Sequence, residues 1–481
     1  MFETFETGSF GCWDEAEEKA HTAYEMYENG QLNLALTQLA EAIEINPTNS
    51  AWYFDKGLTL DTLERYDEAI DAFEQALQLK GDDPEILNCI AVDYTRIGQY
   101  DLAISTFEYI QQLDPHFEPC YCNRIITYAE MDQHEKAEQM FYLAQQINPD
   151  CAICFYNIGN SLFSRGKFER AIWCWHKTQK LEPTHPQINL RLAQAYWASG
   201  KYQTAKDHFL AELRICPGDV RAILEFGMFL LANGEIDAAK EKFNRIGELE
   251  PDFAPARFYL AEIAYNRGHE TDAARLYNEA LRTNNRLAGP RYRLAQIAAD
   301  EGNTDEACRY LTEELELEPE DPDVLLAIGS MFLKLGSLDY ATNCLLKAVD
   351  LDHTNPEVFS RLGITLAKRG EYEGALQFLA HALKLTGDDA NLLADIAYVY
   401  YKTGRLAQAT QTVETALMLS ARDPEIVRLN RRIKLASAGQ NFAFNFRTSR
   451  IIQNMTILSA RFRCRIRYIL TRLNYLIKRQ Q

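Results

Sequence analysis

The chain has 481 residues, of which 47% are hydrophobic and 25% are charged, with only 15 prolines and 24 glycines. This composition is typical of a globular protein and excludes collagen-like and wholly disordered chains. The 69 acidic residues outnumber the 50 basic ones, which gives a formal net charge of -19. Because so acidic a body repels phosphate groups, we expect no nucleic acid among its partners.

The charge is divided unevenly along the chain, since no Asp or Glu follows Glu425 whereas thirteen Lys and Arg residues lie from Arg428 to Arg479. The eleven cysteines lack the spacing of small secreted domains, and the N-terminus lacks the basic and apolar regions of an export signal. No stretch approaches the roughly 18 apolar residues that span a bilayer. The sequence therefore predicts a cytoplasmic protein that its basic C-terminal segment could place at the periphery of a membrane.

The first fifteen residues form a predicted leader, in which four aromatic side chains stand among acidic ones. We expect this segment to be an N-terminal leader or cover, and we assign it no chemistry. The regular part of the chain follows it directly.

Residues 16–423 repeat with a period of 34, in twelve units without an insertion or deletion. Position 8 of the unit is Gly or Ala in eleven units, position 15 is Gly in ten, and position 24 is always aliphatic or aromatic. Seven units have proline at position 32, where a second helix would have ended. Position 20 is alanine in every unit: Ala35, Ala69, Ala103, Ala137, Ala171, Ala205, Ala239, Ala273, Ala307, Ala341, Ala375 and Ala409.

Each unit predicts two amphipathic helices of roughly 12 to 14 residues, because apolar residues recur at spacings of three and four. The small residue at position 8 allows the two helices to approach closely, and glycine at position 15 supplies the left-handed conformation that ends the first. One such helix pair cannot bury its apolar side alone. The units must therefore stack.

This pattern resembles the tetratricopeptide repeat family, and the resemblance covers residues 16–423. It implies an all-α, right-handed superhelical solenoid of antiparallel helix pairs, with a concave groove lined by the first helix of each unit. Units eight and nine depart from the pattern, with Asn285 in place of proline and Glu314 in place of alanine. Residues 424–440, opened by Pro424, are predicted to form a capping helix over the last open face.

Residue types that dominate protein interfaces occupy the positions that the resemblance places on the concave side. We expect these to form a peptide-binding groove, centred on units four to six at Asn157, Phe163, Arg191 and Trp197. For any single aromatic residue the alternative is packing between neighbouring first helices. The candidate groove residues are Asn123, Tyr156, Asn157, Asn160, Phe163, Arg191, Trp197, Arg221, Tyr259, Arg293 and Arg361.

Asn123 and Asn157 share position 6 of successive units, which resembles the asparagine ladder of the O-linked N-acetylglucosamine transferase superhelix. The resemblance implies that these amides bond the backbone of an extended peptide. Chaperone-binding members of the family use a clamp that needs lysine at position 5, and no lysine stands there. The C-termini of chaperones are therefore not the expected ligands.

Nothing in the sequence predicts catalysis, because the glycine-rich phosphate loops, HExxH and GxSxG are all absent. One cysteine group, Cys120, Cys122, Cys151 and Cys154, could bring thiolates together to hold zinc or an iron–sulfur cluster. The alternative is that these cysteines are small apolar fillers where helices crowd. Two separated CxxC pairs are missing, so the sequence favours the filler and predicts no metal and no cofactor.

The last segment, residues 441–481, combines an apolar stripe at spacings of three and four with a basic opposite face. A basic amphipathic helix is typical of membrane-surface or partner-docking elements. We expect it to contact an anionic membrane surface or the acidic solenoid, whereas RNA or DNA contact and a disordered tail are the weaker alternatives; residues 461–468 also alternate as a short strand would. The docking residues are Arg461, Arg463, Arg465, Arg467 and Arg472.

Together these patterns predict a non-catalytic scaffold or adaptor that binds peptide segments or partner proteins in its groove. Two alternatives stay open from the sequence: a peripheral membrane-associated assembly factor positioned by the tail, and a regulatory subunit of an enzyme complex.

Overall fold

The computed structural model of the chain describes the backbone of residues 8–448 and the side chains of residues 15–438. In this part of the chain every regular element is an α-helix, which confirms the all-α prediction. The helices are α1 (Gly8–Glu28), α2 (Leu32–Ile45), α3 (Ser50–Thr62), α4 (Tyr66–Lys80), α5 (Pro84–Arg96), α6 (Tyr100–Leu113), α7 (Glu118–Glu130), α8 (His134–Ile147), α9 (Ala152–Ser164), α10 (Phe168–Leu181), α11 (Ile188–Ala198), α12 (Tyr202–Ile215), α13 (Val220–Ala232), α14 (Ile236–Leu249), α15 (Ala254–Asn266), α16 (Glu270–Thr283), α17 (Pro290–Asp300), α18 (Thr304–Leu315), α19 (Pro322–Leu335), α20 (Leu338–Leu351), α21 (Pro356–Arg369), α22 (Tyr372–Thr386), α23 (Ala390–Lys402), α24 (Leu406–Leu419) and α25 (Pro424–Thr448).

Each odd-numbered helix from α1 to α23 packs against the even-numbered helix that follows it, so that each repeat is one helix pair. The contacts divide the chain into an N-terminal half up to Glu250 and a C-terminal half from Pro251. Within each half every pair also packs against the next pair. Each half is thus a solenoid of stacked helix pairs, as the 34-residue period predicts.

The closest helix contacts lie where the sequence places small residues. All twelve alanines at position 20 are fully buried. At position 8, a Cβ added to Gly159 would lie 2.5 Å from Nε1 of Trp175, the aromatic residue at position 24 of the same repeat. The column of small residues and the column of large ones therefore fill complementary space between the two helices.

The turn inside each repeat requires a left-handed residue at position 15. All ten glycines at this position have positive φ, between 68° and 89°. The two repeats without glycine adopt the same conformation, with Glu64 at φ 60° and Asp132 at φ 58°. The turn geometry is therefore constant, and the glycines are there because they adopt it without steric penalty.

At the ends of the repeats, helix α1 begins at Gly8, upstream of the predicted first unit, and α25 follows the twelfth repeat from Pro424. In α25, Ile426 and Ile433 are buried against Val413 and Ala416 of α24. No helix within the described residues is both long and apolar enough to cross a lipid bilayer.

Candidate functional site

The odd-numbered helices form one face of the stack in each half, which we call the first-helix face. In the N-terminal half, polar side chains about one repeat apart join neighbouring first helices. Asn123 Nδ2 donates to Asn88 Oδ1 at 3.1 Å, and Asn157 Nδ2 donates to the carbonyl oxygen of Cys122 at 2.9 Å. Asn157 is only 5% exposed. The two asparagines that the sequence predicts as ladder residues therefore bond neighbouring first helices in the structure.

Repeats five to seven carry a row of partly exposed polar side chains on α9, α11 and α13. Arg191 Nε donates to the Tyr156 hydroxyl at 3.3 Å, and an Nη of Arg191 donates to Gln194 Oε1 at 3.2 Å. Gln194 in turn donates to Glu225, which also pairs with Arg221 at 3.4 Å. Within the described part of the chain, Arg191 thus contacts neutral groups, and its positive charge has no carboxylate partner.

Arg293 occupies the same repeat position as Arg191, and both begin an Arg-Leu-Ala-Gln segment. The guanidinium of Arg293 binds both carboxylate oxygens of Glu262, at 2.8 and 2.7 Å, and donates to Gln296 at 2.8 Å. Burial acts against the charged form, but the hydrogen bonds to Glu262 raise the pKa of Arg293 above its ordinary value. In repeat nine the charge of the arginine at this position is therefore neutralised by an ion pair with Glu262.

The difference between the two arginines comes from position 9 of the preceding repeat. Glu262 stands at that position before Arg293, whereas Asn160 stands there before Arg191. The Oδ1 atom of Asn160 is buried without a hydrogen-bond partner in the structure. Repeats five and six therefore combine an uncompensated cation with a buried, unpaired amide oxygen, and the partly exposed guanidinium of Arg191 is suited to a polar ligand contact.

The predicted aromatic residues are engaged within the protein. Phe163 packs against Phe168 and Trp175, at ring distances of 5.5 and 5.7 Å. Trp197 meets Phe229 of the next first helix edge to face at 5.5 Å. For these residues the structure shows the packing that the sequence leaves as an alternative to ligand contact.

Two further candidates lie in the C-terminal half. Tyr259 is half-buried and meets Phe258 at 5.3 Å. Arg361 pairs with Glu357 at 3.1 Å and lines a cavity of about 330 Å³ that Asp395 also lines. Burial raises the pKa of Asp395 to about 6, and Arg361 opposes this shift. The Arg361 position therefore faces a carboxylate of its own half.

The cysteine group is present, but with a different membership from the predicted one. The ligand atoms of Glu118, Cys122, Cys151 and Cys154 all lie within 4.8 Å of one another, and the three cysteines are buried. Cys120 lies apart, since its thiol donates to the carbonyl oxygen of Phe107 at 3.2 Å. Glu118, which sequence reasoning missed, takes the fourth place.

The sequence wrongly places Cys120 in this group because Cys120 shares its repeat position with Cys154. Cys120 and Cys154 both stand at position 3 of their repeats, and each contacts the repeat before its own. Cys154 therefore meets Cys122 in repeat four, whereas Cys120 meets repeat three. Glu118 stands at position 1 and Cys122 at position 5 of repeat four, one helical turn apart, which is the signal that could have identified the pair.

The predicted tail residues Arg461, Arg463, Arg465, Arg467 and Arg472 lie outside the described residues. Their contact with a membrane surface or with a partner stays a prediction.

Comparison with known proteins agrees with the repeat pattern. The N-terminal TPR repeats region of Psidin matches residues 17–159, a Tetratricopeptide repeat model matches residues 156–220, and the C-terminal domain of cilia and flagella-associated protein 70 matches residues 229–449. No curated protein sequence matches the chain. All three matches thus fall on the stacked helix pairs, and the last one extends over α25.

The chain is also similar to several solved structures. Yeast Tom70 is 15% identical, with a TM-score of 0.46, over 82% of this chain and 96% of that one. The APC/C hetero-tetramer Cut9-Hcn1 is 17% identical, with a TM-score of 0.40, over 87% of this chain and 96% of that one. A tetratricopeptide repeat protein from Parabacteroides merdae is 19% identical, with a TM-score of 0.40, over 49% of this chain and 94% of that one.

Proposed function

Because the chain is a tetratricopeptide repeat protein, a family of generally non-catalytic interaction scaffolds, we propose that it binds an extended, acidic polypeptide segment on the first-helix face of its N-terminal half. Arg191 is the anchor for a carboxylate of that segment.

The observation that carries this proposal is the contrast between two arginines at one repeat position. Arg293 is saturated by Glu262, whereas Arg191 contacts the neutral Tyr156 and Gln194. A partly exposed guanidinium without a carboxylate can bind one from a ligand, and charge-assisted hydrogen bonds of this kind are about twice as strong as neutral ones. Glu225 accepts a hydrogen bond from Gln194, which in turn accepts one from Arg191. Glu225 therefore helps to fix the position of the bound segment along this row.

The experiment is a peptide selection followed by matched substitutions. Peptides are selected from a random displayed library against the full-length chain, and their affinity is measured by fluorescence polarisation. Because the whole protein has a net charge of -19, nonspecific attraction would enrich basic peptides. We expect enrichment of Asp and Glu instead.

Arg191→Ala removes the anchor and should weaken binding of the selected peptide by about tenfold to a hundredfold, the range for one charge-assisted contact. Arg293→Ala is the matched control at the same repeat position, and it should lower thermal stability without changing peptide affinity. Equal affinity of the wild type and Arg191→Ala would refute the proposed anchor.

The two alternative roles predict different results for removal of the tail and for co-purification with an enzyme. If the protein is a peripheral membrane assembly factor, removal of residues 441–481 shifts it from membrane to soluble fractions while peptide affinity is unchanged. If it is a regulatory subunit, a stoichiometric enzyme co-purifies with it from native extract. The acidic-segment scaffold requires neither result.

A further inference from the structure

Four side chains of repeats four and five converge on one buried point between α7 and α9. Cys122 Sγ lies 3.7 Å from Cys151 Sγ and 2.6 Å from Cys154 Sγ. Glu118 Oε1 lies 3.4 Å from Cys122 Sγ and 3.8 Å from Cys154 Sγ. Four such atoms within 4.8 Å of one another make a compact set with three sulfurs and one oxygen.

These separations suit a four-coordinate metal ion. Two thiolates on one tetrahedral zinc ion lie roughly 3.7 Å apart, because each Zn–S bond is about 2.3 Å long. The Cys122–Cys151 distance already matches this value. The Cys122 and Cys154 sulfurs would move apart by about 1 Å, a change within the reach of side-chain rotation.

Helix α9 begins at this point, and its N-terminal end favours a thiolate at Cys151. Cys151 is the N-cap residue of α9, and the backbone N–H of Cys154 donates to its sulfur at 3.1 Å. The N-terminal end of a helix stabilises negative charge. The hydrogen bonds from Cys122 and Cys154, and the backbone N–H, lower the pKa of Cys151.

The Glu118 carboxylate is held in place by a hydrogen bond to its second oxygen. Asn148 Nδ2 donates to Glu118 Oε2 at 3.1 Å, which leaves Oε1 directed at the sulfurs. A hydrogen bond of this kind, to the atom that does not bind the ion, is the usual support of a metal ligand in proteins.

We propose that Glu118, Cys122, Cys151 and Cys154 form a structural Zn²⁺ site that joins the first helices of repeats four and five. Three thiolates and one carboxylate complete a tetrahedral shell, as closed structural zinc sites require. The sulfur-rich set disfavours Ca²⁺ and Mg²⁺, which take oxygen ligands, and it lacks the fourth cysteine of the usual iron–sulfur ligand set. Thiols that are still protonated release their protons to solvent as the ion binds.

A zinc ion here would stabilise the first-helix face. The Cys122 carbonyl oxygen accepts the hydrogen bond from Asn157, so a ligand residue and a contact between the two repeats share one turn of α7. The site fixes the spacing of α7 and α9, and α9 also carries Asn160. The zinc proposal stands on the cysteine geometry and does not depend on the peptide proposal.

The test uses the full-length chain, purified under reducing conditions without added metal chelator. Elemental analysis should find one zinc ion per chain. After removal of zinc, Co²⁺ should give the thiolate charge-transfer and d–d absorption bands of a tetrahedral sulfur-rich site. Adding Zn²⁺ to the metal-free protein should raise its melting temperature in a concentration-dependent way.

Cys151→Ser is the informative variant, because serine is a favoured N-cap residue and preserves the start of α9. It should lose zinc, the cobalt charge-transfer band and the melting-temperature response. Cys120→Ser, two residues from Cys122 and equally buried, is the matched control and should keep all three.

Four results would overturn the proposal. The reduced wild type could bind no stoichiometric zinc and show no cobalt charge-transfer band. Cys151→Ser could bind zinc as the wild type does. Mass spectrometry could find a Cys122–Cys154 disulfide, or elemental analysis could find stoichiometric copper or iron, in the protein as purified.

Discussion

At the scale of single residues, Asp93 on α5 is a carboxylate that is only 1% exposed. Its Oδ2 atom has no hydrogen-bond partner, and Oδ1 lies 3.5 Å from an Nη of Arg96. Burial raises the pKa of Asp93 to about 7 from an ordinary 3.8. The folded state therefore binds more protons than the unfolded chain between these two values.

It follows that the stability contributed by Asp93 is greatest below its unfolded pKa and is lost as pH rises towards 7. Asp93→Asn removes this dependence. We expect the free energy of unfolding of the variant, relative to that of the wild type, to increase by about 1–3 kcal/mol as the pH rises from roughly 4 to 8. Urea unfolding of both proteins at several pH values measures the difference. A difference in stability that does not change with pH would contradict the argument.

The residue scale is also where sequence reasoning is weakest. The sequence predicts Asn157 as a ligand contact because of its position, but it cannot show that the amide reaches the Cys122 carbonyl oxygen instead. Arg191 and Arg293 look alike in sequence, and only their partners one repeat away distinguish them. Repeat position fixes where a side chain starts, whereas its contacts depend on which residue stands opposite.

At the scale of elements, two first helices begin two residues later than the period predicts. Helix α11 begins at Ile188 and α17 at Pro290, and neither has a side-chain N-cap of its own. In both repeats position 27, usually alanine, is a buried glutamate of the second helix, Glu212 or Glu314.

These glutamates cap the shortened helices from outside. Glu314 accepts a hydrogen bond from the backbone N–H of Gly289. Burial raises the pKa of Glu314, while the N–H groups at the start of α17 act in the opposite direction. Burial likewise raises the pKa of Glu212, and the N–H groups of Leu190 and Asn189 oppose that shift. Each carboxylate thus satisfies donors that a helix terminus leaves unpaired.

Glu314→Ala should therefore lower the free energy of unfolding by about 1–3 kcal/mol, because it leaves the partly buried N–H of Gly289 unpaired. Glu314→Gln keeps an acceptor oxygen, so its loss should be smaller. Glu313→Ala, which removes partly exposed ion pairs to Arg291 and Arg309, is the control. Chemical denaturation compares the three variants, and equal losses for Glu314→Ala and Glu313→Ala would show that no capping is involved.

Most of the element pattern could be predicted, since the columns at positions 8, 15, 20 and 24 describe local backbone and packing needs that every repeat shares. The sequence marks Glu314 as a departure from the repeat, but it does not reveal that the departure compensates for a late helix start. The hydrogen bond joins Gly289, before α17, to Glu314 on α18, which lie 25 residues apart in the chain. The repeat period does not reveal such a contact.

At the scale of the whole molecule, stability comes from contacts between neighbouring repeats, because no helix pair buries its apolar side alone. Each half stacks its pairs in chain order, and α25 covers the twelfth repeat with Ile426 and Ile433. A stack of this kind leaves a long continuous surface on its first helices. A surface with this form is suited to an extended polypeptide.

Site-specific photo-crosslinking tests this account most directly. A photoreactive phenylalanine analogue is placed at Gln194 on the first-helix face, or at Trp173, which is 55% exposed on the second helix α10. Each protein is irradiated with the selected acidic peptide. The account predicts that position 194 crosslinks to the peptide and position 173 does not. Crosslinking from position 173 but not from position 194 would contradict it.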